Sequence, residues 1–159
     1  MRSDPKNPPV QVLGLGSGLK TDDGAGLLVV RLLEKLLPPG RARLTLGGTA
    51  GPAVADLITC PGLLIVVDAC VTGAAPGTIH EVGLEDLAGR MLHGPGAFHG
   101  LDLAGVLEEK RSLNPENAPA RVRIFAIEAE DVETFSESCT QEVAKAAEEL
   151  ARRIAREIL

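Results

Sequence analysis

The segment Gly14-Leu-Gly-Ser-Gly-Leu-Lys-Thr-Asp-Asp-Gly-Ala-Gly26 joins an apolar run, Val10 to Leu15, to an apolar-periodic run, Leu27 to Leu37. The first run reads as a strand and the second as a helix. Glycines let the connecting backbone turn in ways that residues with a Cβ resist. Two adjacent carboxylates, Asp22 and Asp23, stand at the helix start. Strand, glycine turn and helix N-terminus in succession mark the carboxyl edge of a parallel sheet, where open α/β folds hold their ligand and catalytic sites.

The rest of the chain repeats the alternation. Strands are expected at Val10–Leu15, Ala42–Leu46, Leu63–Ala69, Thr78–Val82 and Val122–Glu128. The run Leu63-Leu-Ile-Val-Val67 is continuously apolar, as a strand covered on both faces must be. Helices are expected at Asp23–Leu37, Pro52–Thr59, Leu101–Lys110 and Gln141–Ile158, with a short one at Leu84–Met91. This order implies an α/β sandwich around a mostly parallel sheet. In the last helix Val143, Ala147, Leu150, Ile154 and Ile158 share one face, which is packing rather than chemistry. Glu148–Arg152 and Glu149–Arg153 are i,i+4 pairs on its outer side, and Ser138-Cys-Thr-Gln141 has the form of a capping box. Gly94 to Gly100 and Asn114 to Pro119 read as loops. Residues 1–9 are polar and Pro-rich, a loose tail before a single domain over 10–159.

Composition narrows the function. Aromatic content is 2%, so bases find almost nothing to stack on, and a net charge of −6 disfavours a phosphate backbone. A nucleic-acid partner is not expected. Cys60, Cys70 and Cys139 are an odd count without CxxC spacing, which argues against a disulfide framework and a structural zinc site. With no signal peptide and no long apolar span, a cytoplasmic protein without a membrane partner is the expectation.

Three readings of the glycine loop compete. A dinucleotide fingerprint needs glycine at position 19, where Leu19 stands, and an acid near the end of the second strand, where there is none. The spacing Gly14-x-Gly16-x-Gly18 suits a methyltransferase, but Val12 and the Leu46 region stand where its acids belong. The third reading centres on the carboxylates. One of them caps the helix, and Asp22 is assigned that role. Asp23 is then left to face the cleft. Asp68 follows the most buried strand, and His99 sits in a glycine-rich loop before the next helix. Singly, Asp68 is a turn residue and His99 a surface residue. Together Asp23, Asp68 and His99 fall on one sheet edge, and two carboxylates with an imidazole suit a borderline divalent metal such as nickel or zinc. His80 and His93 lack such a setting and are expected at the surface.

Five motifs in order, Leu13-Gly-Leu-Gly16, Thr21-Asp-Asp-Gly-Ala-Gly26, Gly47-Gly-Thr-Ala-Gly51, Val67-Asp-Ala69 and Phe98-His-Gly-Leu-Asp-Leu103, resemble those of the hydrogenase maturation endopeptidases. The resemblance runs from Val10 to Ile158. It implies a twisted five-stranded sheet between helices, three layers in all, and a metal-contacting set that falls by motif on Asp23, Asp68 and His99. Ser17 stands where the family usually has Asn, and Leu46 where many members carry Asp before Gly-Gly-Thr.

The resemblance further implies a cytoplasmic, aspartic-type protease that cuts a C-terminal extension from the precursor of a nickel-iron hydrogenase large subunit. Nickel would arrive in the substrate, and no organic cofactor is implied. One carboxylate would serve as general base while the metal polarises the scissile carbonyl. Gly48 and Thr49 would bind the substrate tail through backbone donors. No HExxH, Gly-x-Ser-x-Gly or Cys–His motif offers another protease chemistry, so the cysteines are expected to be dispensable. Two alternatives remain: a non-catalytic relative that binds a metal centre or partner, and a methyltransferase using S-adenosylmethionine.

Overall fold

The structure, a computed structural model, describes residues 8–49, 53–84 and 103–159. Its strands are β1 (Val10–Leu15), β2 (Arg43–Gly48), β3 (Leu63–Cys70), β4 (Ile79–Val82) and β5 (Arg121–Glu128). Its helices are α1 (Ala25–Leu36), α2 (Val54–Leu57), α3 (Leu103–Leu113) and α4 (Gln141–Ile158). The strands form one sheet in the order β2-β1-β3-β5-β4. All neighbours run parallel except β4, which is antiparallel to β5. The expected three-layer α/β sandwich is the observed one.

Strand alternation divides the core into two layers. On one face Val12, Ile65, Val67, Phe125 and Ile127 pack with Val29 and Leu33 of α1 and with Val143, Leu150 and Ile154 of α4. On the other, Leu13, Leu64, Val66 and Ile124 pack with Val54 of α2 and with Leu103 and Leu107 of α3. Each such buried aliphatic contributes about 1.5–3 kcal/mol relative to exposure. Gln11 is a polar member of this interior, fully buried at the β1–β2 seam. Its amide nitrogen donates to Thr45 Oγ1 (3.0 Å) and to the Leu57 carbonyl (2.7 Å), and its oxygen accepts from Thr59 N (3.0 Å). One side chain thus ties two strands to the α2 segment, with both ends of its own amide paired.

The sheet order places a topological switch between β1 and β3. The chain leaves β1 toward β2 on one side and returns to β3 on the other, so a crevice opens at their carboxyl ends. Helix α1 is wedged into that crevice. A Cβ at Gly26 would lie 2.3 Å from the Val67 carbonyl oxygen and 2.6 Å from that of Leu15, and one at Gly14 would lie 2.5 Å from the Gly26 oxygen. Only glycine allows this approach.

Several element ends differ from expectation. The segment Thr21–Gly24 is a 3₁₀ turn, and α1 starts at Ala25 rather than Asp23. Strand β2 runs on to Gly48, held by the bond from Gly16 N to the Gly48 carbonyl (2.9 Å). The expected loop at Asn114–Pro119 contains a 3₁₀ turn, Pro115–Asn117. Helix α4 spans the expected residues, but the capping box does not form. Its N-cap is Thr140, and the Thr140 hydroxyl is engaged elsewhere. Most of the expected helix at 84–91, the loop at 94–100, His93 and His99 lie outside the described residues.

Candidate active site

Asp22 and Asp23 are neighbours with different occupations. Asp22 is fully buried and accepts from the backbone of Glu130 (2.9 Å), Asp131 (3.0 Å) and Thr140 (2.7 Å). The Thr140 hydroxyl lies 2.8 Å from its Oδ2. It therefore has the structural role expected of it, but at another helix: it serves the start of α4, not α1. A carboxylate there also complements the positive end of the helix. The turn is held further by Thr21, whose φ of 49° is a left-handed conformation unusual for a β-branched residue. Thr21 N donates to the Ser136 carbonyl (2.9 Å) and its hydroxyl to that of Thr134 (2.6 Å).

Asp23 is 6% exposed and faces the glycine loop, accepting from Ser17 N at 3.0 Å. The contact runs through the backbone, so Ser in place of Asn at position 17 leaves it intact. The Ser17 hydroxyl accepts from Leu19 N (3.3 Å) and closes a local turn. Asp68 lies within β3, two residues before its carboxyl end rather than after the strand, fully buried, with Oδ1 accepting from Ala69 N (2.8 Å). It shares a strand face with Leu64, Val66 and Cys70 and sits opposite Ala126 of β5. The 3₁₀ turn that carries Asp23 packs on β3, and the Gly26 wedge sets it against Val67, the residue before Asp68. Both carboxylates therefore stand at the β1/β3 switch point.

Gly48 has a φ of 57° and gives its carbonyl to Gly16, while Thr49 is exposed. Leu46, at the position where many family members carry Asp, is 47% exposed. Leu19, Val71 and Phe135 are also exposed apolar residues of the loops at this edge, and Ser136 N donates to the Leu19 carbonyl (3.0 Å), joining two of those loops.

Cys70 and Cys139 are held in the thiol form at neutral pH. Burial, reinforced by the nearby Asp22 charge, pushes Cys139 up to about 11. Cys70 is pushed higher still, first by burial and then by its hydrogen bond to Glu128 and the charges of Glu128 and Asp68.

The family model for hydrogenase maturation proteases matches residues 27–157. Over 159 residues the chain is 33% identical to hydrogenase expression/formation protein HoxM of Azotobacter vinelandii, a match that covers 96% of this chain and 72% of that protein. The chain belongs to the hydrogenase maturation protease family. This maturation protease is thus a peptidase by class. It superposes with a TM-score of 0.71 on the hydrogenase maturating endopeptidase HybD from E. coli, at 29% identity over 93% of this chain and 92% of that one. The HybD maturation protease of Thermococcus kodakarensis shares the fold, with a TM-score of 0.72 at 24% identity over 94% and 97% of the two chains. Among the described residues no helix is long and apolar enough to cross a membrane.

One cluster in this maturation protease was not anticipated. His80 is not a surface residue: its side chain is 19% exposed, and its Nε2 lies 3.4 Å from Glu128 Oε2. Glu128 is buried and accepts from Cys70 Sγ (3.1 Å), the Thr72 hydroxyl (3.0 Å), Thr72 N (2.7 Å) and Gly73 N (2.8 Å). Burial works to raise its pKa, but these hydrogen bonds prevail and hold the carboxyl below its usual range. The available signal was parity: Asp68 and Cys70, His80 and Val82, Ala126 and Glu128 each project to the same face of the sheet.

Proposed function

We propose that this protease removes the C-terminal extension of a hydrogenase large-subunit precursor that already holds nickel. Nickel reaches the site as part of the substrate, and Asp23, Asp68 and His99 meet it there. The observation that carries this reading is the convergence of two shielded carboxylates, Asp23 and Asp68, on the β1/β3 switch point of a protease-family fold. Oxygen donors from carboxylates and one imidazole nitrogen suit a borderline divalent ion. With the ion polarising the scissile carbonyl, a carboxylate at the same edge takes the proton of the attacking water, which adds to the carbonyl carbon. The proton passes to the leaving amine as the peptide bond breaks. No organic cofactor enters the scheme. The Gly48–Thr49 turn lies beside the glycine loop, where an extended substrate tail has backbone to pair with.

Leu46 favours a second reading, a relative that binds the metal centre without cutting, because it withholds a possible third carboxylate. The two separate in one experiment. Wild-type protein and Asp23→Asn are mixed with a nickel-loaded precursor and followed by mass spectrometry. Release of a C-terminal peptide by the wild type alone supports the protease reading. A stable complex with no release favours the binding module, and equal release by both removes Asp23 from the mechanism.

A further inference from the structure

Cys70, His80 and Glu128 belong to three strands, yet their ligand atoms all lie within 4.8 Å of one another. The register explains the convergence. Cys70 pairs with Glu128 across β3 and β5, and His80 pairs with Ala126 across β4 and β5, so the three side chains rise from one face of the sheet. The Glu128 carboxylate is already oriented. Its Oε1 accepts from Thr72 N and Gly73 N, while its Oε2 is directed at Cys70 Sγ, the Thr72 hydroxyl and the imidazole. His80 Nε2 is shielded from solvent and, at 3.4 Å from Oε2, makes no hydrogen bond among the described residues. A shielded ring nitrogen without a hydrogen-bond partner calls for an explanation. Nothing in the proposed peptide cleavage uses these three groups.

We propose that Cys70, His80 and Glu128 form a binding site for a zinc-class divalent cation, distinct from the Asp23–Asp68–His99 set. One sulfur, one imidazole nitrogen and one carboxylate oxygen are the donors such an ion takes, at about 2.3 Å for sulfur and about 2.0–2.2 Å for nitrogen and oxygen. Donors bound at those lengths stand roughly 3–4 Å apart, close to the spacing already present. Binding replaces the Cys70 hydrogen bond with a metal–thiolate bond, and the thiol proton leaves to solvent. The ion occupies the position that Oε2, Sγ and Nε2 share, and gives the His80 ring nitrogen a partner that the described residues do not supply. A fourth position remains for water. The Thr72 and Gly73 amides serve as the outer hydrogen bonds that fix a ligating carboxylate. The consequence for the fold is a clamp: the short edge strand β4 becomes tied through one ion to β3 and β5.

The test uses the full chain, stripped with chelator and titrated with Co²⁺ under reducing conditions. A thiolate-to-cobalt charge-transfer band in the near ultraviolet, saturating at one ion per chain and bleached by Zn²⁺, is expected. Cys70→Ser should lose the band, and His80→Gln should weaken cobalt binding by about tenfold or more. Asp23→Asn should keep band and affinity, because the site does not draw on the proposed nickel ligands. Circular dichroism of each variant separates lost binding from lost folding, and His80→Gln, at the partly exposed edge, preserves the test if Cys70→Ser unfolds. A wild-type chain without the band overturns the proposal. So does a band that survives in folded Cys70→Ser, or His80→Gln with wild-type affinity.

Discussion

The Asp22 carboxylate is hydrogen-bonded to the backbone of Thr140, 2.7 Å away and 118 positions along the chain. This contact pins the turn that carries Asp23 to the start of α4, and so sets one proposed catalytic group by anchoring its neighbour. The two adjacent acids should therefore fail differently. Asp22→Ala removes a charge-assisted acceptor from several buried donors and should cost at least about 3 kcal/mol, a fall in Tm of ~10 °C. Asp23→Asn should stay within a few degrees of wild type while losing precursor processing. Thermal unfolding and a cleavage assay on the same two variants check this, and a stable Asp22→Ala would remove the anchor.

Gly26 offers a test of the wedge that forms the site. An alanine normally favours a helix over glycine by about 1 kcal/mol. Here its Cβ would meet two strand carbonyls, at 2.3 and 2.6 Å, and backbone cannot step aside as a flexible side chain does. Gly26→Ala should therefore destabilise, by about 3 kcal/mol or more. Denaturant unfolding gives the sign directly, and a stabilised variant would mean that α1 does not enter the β1/β3 crevice this closely.

What the sequence made legible was whatever depends on local pattern. The apolar run of β3 announced a buried parallel strand, and the polar residue closing that run, Asp68, was placed at the correct edge. On the amphipathic face of α4, Val143, Ala147, Leu150 and Ile154 are buried as read, Ile158 is only partly buried, and the small residues Ala146, Ala151 and Ala155 widen the buried face. The helix start at Asp23 was misplaced because α1 has to clear the ends of β1 and β3, and a 3₁₀ turn with Thr21 at positive φ makes the entry. That is a tertiary demand with no local trace. Asp22 was recognised as structural, but its partners lie in a distant loop, so the helix it serves was not recognisable. The Cys70–His80–Glu128 cluster escaped for the same reason: each residue comes from a different strand, and metal-site spacing rules see only ligands close in sequence.

Cys139 should be chemically quiet. Its thiol, pushed up to about 11 by burial and by the Asp22 charge, stays protonated at pH 7.5. Iodoacetamide should label it far more slowly than a free cysteine, and Cys139→Ser should process precursor at the wild-type rate. Rapid alkylation, or loss of processing in a folded variant, would contradict the assignment.

Phe135 is 79% exposed and Leu19 58% exposed, on loops joined by the Ser136–Leu19 hydrogen bond at the edge that carries Asp23. Exposed large apolar residues beside a site fit contact with a protein substrate. The double variant Leu19→Ser/Phe135→Ser should raise KM for the precursor by about tenfold, the equivalent of ~1.4 kcal/mol, with kcat and Tm little changed. An unchanged KM would place the substrate contact elsewhere.

Glu128 should make stability depend on pH in one direction. Its folded-state pKa is depressed: hydrogen bonds from Cys70, Thr72 and Gly73 prevail over the opposing effect of burial. A depressed carboxyl contributes stability that is fully present above its unfolded pKa, about 4.3, and is lost as pH falls through the folded value. In chelator-containing buffer Glu128→Gln should be about 2–4 kcal/mol less stable than wild type at pH 7, since an amide cannot accept at both oxygens from the same donors. The gap should be constant down to about pH 5 and narrow below about pH 4, as wild type loses the carboxylate too. Urea unfolding of both proteins across that window reads the difference. A gap that widens toward acid would mean that the folded state holds Glu128 protonated, and that the amides of Thr72 and Gly73 do not determine its charge.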